Sequence, residues 1–152
     1  MLILEHAHLL AVLNIFQSAV GLSQLELAQA SYARCLQAPE FFRSFYNRFL
    51  ASDPAIPPYF AETRFDRQDK LLQHGIALLL IYAKRPNPGL LDRIAERHGP
   101  GDLRIPARLF APFTESFIAS VRQFDPAFDA AVEAAWRAAL APGIAFVKGS
   151  GE

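Results

Sequence analysis

The sequence is short of several things. It has one cysteine, one methionine, one tryptophan and no net charge among its 152 residues. A lone Cys35 cannot close an internal disulfide, which excludes a disulfide-built secreted scaffold. Fifteen basic residues balance fifteen acidic ones and the pI is near 6.9, so nucleic-acid binding by broad charge neutralisation is not expected. There is no Gly-rich phosphate loop, no Cys/His zinc spacing and no His-Glu-x-x-His motif. No segment alternates apolar and polar residues as a half-buried strand would. Repeats, low-complexity tracts and linkers are also missing, and a chain of this size is expected to form one domain that buries roughly 70% of its unfolded surface.

What is abundant is phenylalanine, thirteen residues of it. Such a composition suits a flat apolar guest that needs surrounding, and it equally suits a plain aromatic core; composition does not choose. Residues 1–22 are set apart as an N-terminal extension. Residues 2–20 are largely apolar but carry Glu5, His6, His8, Asn14 and Gln17, and no Lys/Arg start marks them as a signal peptide. A spanning helix wants about 20 predominantly apolar residues. The segment is expected to be an extra helix packed on the body or on a partner subunit, with no firm membrane association, and the protein to be cytoplasmic.

From Ser23 onward the punctuation is helical, and the fold class is all-α. Ser23-Gln24-Leu25-Glu26 reads as a capping box opening a helix to about Leu36. Pro39 is expected as the first residue of a second helix, with Phe41, Phe42, Phe45, Tyr46, Phe49 and Leu50 on an aromatic face. Asp53-Pro54 would start a short helix ending near Phe60, and Asp66 would cap a longer one ending before Pro86. A short helix from about Pro88 to Arg97 stops at His98-Gly99-Pro100-Gly101. Ile105-Pro106 opens a long helix carrying Leu109, Phe110, Phe113, Phe117 and Val121. Asp125-Pro126 opens the last, with Phe128, Val132, Trp136 and Leu140. Pro142-Gly143 should kink or break that helix, and residues 148–152 are expected to be a disordered tail.

Cys35 sits in a helix beside no evident base and reads as an inert buried thiol. The residues left for metal or acid–base chemistry are His6, His8, His74 and His98. His98 closes a short helix immediately before a break. From that position alone it is either a ligand to something held between helices or an ordinary terminal histidine opposing the helix dipole.

A resemblance bears on that choice. The run from Phe45-Tyr46 to Asp53-Pro54 with Pro58-Tyr59-Phe60 resembles the second helix and following corner of bacterial globins. So do Arg67-Gln68, Ala95-Glu96-Arg97-His98, Ile105-Pro106 and Ala134-Ala135-Trp136, in the family's order over residues 23–147. The resemblance implies a globin fold around haem b, with His98 as the proximal iron ligand. It implies that His98 donates its other ring N–H to the Ile94 carbonyl, that Ile94 and Ile105 line the proximal face, and that Phe60 packs at the distal corner.

Two registers compete for the distal helix. His74-Gly75 mimics the distal His-Gly pair of myoglobin but leaves only 24 residues to His98, whereas Gln68 leaves 30, close to the family's spacing. With Gln68 facing the haem, Leu72 and Gly75 share its face, and His74 points about 120° away. Gln68 is the preferred reading. Tyr46 then takes the place of the family's distal tyrosine, unless it is one more core aromatic, and both side chains can donate to bound dioxygen. The function implied is reversible binding of O2, and of NO or CO, at a five-coordinate iron for gas sensing, storage or delivery. The alternative is an NO dioxygenase or peroxidase-type haem enzyme served by a separate reductase. Flavohaemoglobins, which carry that activity, use a Tyr and a Glu around the proximal histidine. Here the Tyr's place falls near Leu109 or Phe110, the Glu's place lies past Pro142-Gly143, and no flavin or NAD module follows Val147. A homodimer, a reductase or a signalling partner are the protein partners left open.

Overall fold

A computed structural model describes residues 23–87, 89–91 and 106–151. Among these residues there are five α-helices and no strand: α1 (Gln24–Cys35), α2 (Phe41–Ser52), α3 (Phe65–Lys84), α4 (Phe110–Phe124) and α5 (Ala130–Gly151). Short 3-10 turns at Pro57–Phe60 and Ala107–Leu109 precede α3 and α4. Residues 89–91 are also helical, and the Gly89 N–H donates to Asn87 Oδ1 at 3.0 Å, so Asn87 caps them. The expected N-terminal helix over 1–22 lies outside the described residues.

Ser23 caps α1 as its sequence requires, accepting from the Glu26 N–H at 3.2 Å. The other starts differ from expectation by a few residues, each for a local reason. Pro39 lies in a turn closed by the Phe41 N–H on the Ala38 carbonyl, so α2 begins two residues later. Asp53 accepts from the Ala55 N–H at 2.8 Å and makes a turn, and only 57–60 are helical, as a 3-10 turn. Arg64, not Asp66, is the N-cap residue of α3; Asp66 lies inside the first turn, where its charge favours the helix dipole. The helix expected at Ile105-Pro106 starts with a 3-10 turn after Pro106. Asp125 closes α4, and Asp129 caps α5 by accepting from the Val132 N–H at 2.8 Å.

Pro142 does not break α5, which also runs through the expected tail to Gly151. Proline frees the carbonyl four residues earlier, and here both Pro142 and Ala138 are exposed, so water can satisfy it. Gly143 is buried where α5 crosses α3; a Cβ there would run into the Leu79 side chain. By length and composition 130–149 could cross a membrane, yet this helix supplies Val132, Ala135, Trp136, Ala139, Leu140 and Val147 to the buried core.

The packing is set by three helix pairs, α1 on α5, α2 on α4 and α3 on α5. Fully buried Trp136 meets Phe117 edge-on at 4.9 Å and Tyr32 at 5.8 Å, and Phe117 continues to Phe41 and Phe45. A buried polar knot ties three elements together. The Trp136 indole N–H donates to Ser31 Oγ at 2.8 Å, and the Ser31 hydroxyl donates to Asp125 Oδ2 at 2.6 Å. The Arg34 guanidinium donates to both Asp125 oxygens at 2.5 and 3.0 Å. Burial alone would raise the Asp125 pKa; the Arg34 and Ser31 donors and the Ala127 N–H outweigh it and hold the carboxyl below its ordinary value.

Candidate functional site

Phenylalanine at 41, 45 and 49, with Tyr46 between, gives α2 one buried aromatic face. Phe45 and Phe49 stack with centroids 5.5 Å apart, and both meet Phe113 of α4. Tyr46 turns from this cluster toward α3. Its ring lies 5.4 Å from Phe65 and 5.9 Å from Phe60, and its hydroxyl donates to the Gln68 carbonyl at 3.5 Å, the long and weak end of the range. Phe60 and Phe65 are stacked at 6.3 Å and only half-buried. An apolar wall with an open side therefore stands beside the Tyr46 phenol and the first turn of α3.

On α3 the register expectation meets a direct observation. Gln68 is half-buried, Leu72 is buried, Gly75 is half-buried and His74 is exposed. The structure thus brings Tyr46, Phe60, Gln68 and Leu72 to one region between α2, the 3-10 turn and α3. His98, Ile94 and Ile105 lie outside the described residues, as do His6 and His8. Among the described residues no group of three or more His, Cys, Asp or Glu side chains could hold a metal ion. Burial, with the Asp125 carboxylate nearby, pushes the Cys35 thiol up to about 12, so it is not a nucleophile at neutral pH.

The chain is similar to a protein of Pseudomonas aeruginosa whose crystal structure is described as structurally highly homologous to a human hemoglobin. The two share 32% sequence identity with a TM-score of 0.82, over 85% of this chain and 98% of the other. The chain belongs to the bacterial globin-like proteins. No protein-family model matches it, and no curated protein does.

In this globin-like chain the sequence reading missed two residues beside the site. Phe65 joins Phe60 to Tyr46, and its spacing to Gln68 and Leu72 on α3 was the available signal. Arg43 lies with its guanidinium carbon 4.7 Å over the Phe65 ring and its Nη2 3.3 Å from Asp69 Oδ2. Nothing in the spacing of one helix announces that pairing. Asp69 Oδ1 is buried without a hydrogen-bond partner. Burial raises the Asp69 pKa, Arg43 opposes the rise, and Asp66 adds to it. A separate open groove between α4 and α5, lined by Thr114, Leu140, Ile144 and Lys148 among others, contains none of these residues.

Proposed function

We propose that this globin-like chain is a haem globin that binds O2 reversibly, and NO or CO likewise, for sensing, storage or delivery. The observation that carries the reading is the Tyr46 hydroxyl of α2 reaching the Gln68 main-chain carbonyl of α3 beside an apolar, half-open aromatic wall. Those residues fit haem b on the side they describe. Phe60, Phe65 and Leu72 offer apolar surface to a flat guest, and Tyr46 and Gln68 on the adjoining helices are the two neutral donors proposed for it. His98 is the residue proposed to hold the iron, with Ile94 and Ile105 against the same face, on the strength of the globin resemblance.

When bound, haem supplies an iron that takes up diatomic gases. The chain's own part is to hold and discriminate. The Tyr46 O–H and the Gln68 side-chain N–H can each donate to a gas that carries partial negative charge. Such bonds are stronger in a site of low dielectric than in water. Phe60, Phe65 and Leu72 give those donors an apolar surround on one side. His74, exposed, is left out of the site.

Purified protein should contain one haem b per chain by its absorption spectrum. His98→Gly should lose the haem or regain it only with added imidazole. A His98→Gly spectrum unchanged without imidazole would remove His98 from the role.

A further inference from the structure

Just outside Tyr46 and Gln68 stands an ion pair that the gas-binding reading leaves unused. Arg43 lies three residues before Tyr46 on α2, and Asp69 follows Gln68 on α3. Among the described residues theirs is the ion pair that joins these two helices. The join matters because α2 packs chiefly on α4 and only narrowly on α3. The backbone contacts of the core therefore do little to set the separation of α2 from the first turns of α3.

An exposed ion pair ordinarily stabilises a fold very little. Two features distinguish this one. Asp69 Oδ1 is out of water with no hydrogen-bond partner, and Arg43 meets the other oxygen, Oδ2, at 3.3 Å, so the partly buried carboxylate takes its compensating charge from Arg43. The guanidinium also lies over the Phe65 ring, which in turn meets Tyr46 and Phe60. Arg43 thereby reaches the Gln68 side of the site through Asp69 and the Tyr46 side through Phe65.

We propose that Arg43 and Asp69 are positioning residues, a clamp between α2 and α3 that holds the Tyr46 hydroxyl against the turn of α3 that carries Gln68, the two donors proposed for the bound gas. The proposal rests on the gas-binding reading. Without the clamp the first turns of α3 drift, the two donors no longer converge, and the gas leaves faster.

The test uses the full chain as purified, with carbon monoxide as the probe. The C–O stretch in the infrared reports the donors around the gas. Arg43→Met and Asp69→Asn should each shift or split the band and raise the O2 dissociation rate about 2- to 5-fold. Arg43→Lys should restore both. Adding Arg43→Met to a chain that already carries Tyr46→Phe and Gln68→Leu should change little further, because the clamp acts through those two donors. Amide hydrogen exchange over residues 68–73 should quicken in Arg43→Met and return in Arg43→Lys. If Tyr46→Phe and Gln68→Leu move the band and Arg43→Met does not, the clamp is overturned and the gas-binding reading stands. If none of them moves it, the donor assignment fails and the clamp falls with it.

Discussion

In the proposed site Tyr46 and Gln68 come from different helices, so each would contribute a donor that the other could not replace. A lost neutral hydrogen bond is worth about 0.5–1.5 kcal/mol, or roughly 2- to 15-fold in a rate. Tyr46→Phe and Gln68→Leu should each speed O2 dissociation by that factor in stopped-flow, and His74→Leu should leave it within error. A large effect at His74 with none at Gln68 would restore the register set aside above. Helix geometry alone separates positions 68 and 74 on α3, and in the structure Gln68 is half-buried and His74 exposed; which of them faces the gas is what these variants decide. Phe60 and Tyr46 were legible as members of an ordered resemblance. Phe65 could have been found from its spacing to Gln68 and Leu72; Arg43 could not, because what a side chain meets on another helix is fixed by packing, and spacing along one helix is silent about it.

The elements themselves were readable in kind and number over the described residues, and misread mainly at their starts. Proline and aspartate signal a break well, but the same pair serves equally as a turn or a cap, as Pro39, Asp53 and Asp125 demonstrate. Pro142 was misread for a different reason: whether proline breaks a helix depends on whether water can reach the carbonyl it frees. Pro142→Ala should therefore stabilise the protein. Alanine is about 3 kcal/mol better in a helix interior, against about 0.4–1 kcal/mol of lost chain restriction in the unfolded state. A chemical denaturation midpoint that fails to rise would contradict this account of α5. The Asp125 knot gives the fold an acid limb. Its carboxyl is held below the ordinary value, so its stabilisation is complete above about pH 4 and fades as the pH falls through the lower folded-state value. Asp125→Asn should cost about 2–3 kcal/mol at neutral pH, limited because the Arg34 side chain remains 34% exposed. It should also flatten the decline of stability below pH 4. An unchanged acid limb would place the acid sensitivity elsewhere.

At the scale of the whole molecule, the helical periodicity and ordered landmarks were enough for a globin fold, and the similarity to the Pseudomonas aeruginosa protein agrees. The aromatic surplus, ambiguous as composition, divides in the structure. Phe41, Phe45, Phe49 and Phe117 form plain buried core, and Phe60 and Phe65 remain half-open beside the two donors. The central claim is a haem held by His98 with an open position for gas, in a site where no Tyr–Glu pair polarises the histidine. By the globin resemblance the place of the flavohaemoglobin tyrosine falls near Leu109, which is buried, or Phe110. Resonance Raman of the ferrous protein without gas tests this most directly, because it reports both the coordination number and the iron–histidine bond. The account predicts a five-coordinate spectrum with an iron–histidine stretch in the oxygen-carrier range. A six-coordinate low-spin spectrum, or a stretch raised into the peroxidase range, would contradict it.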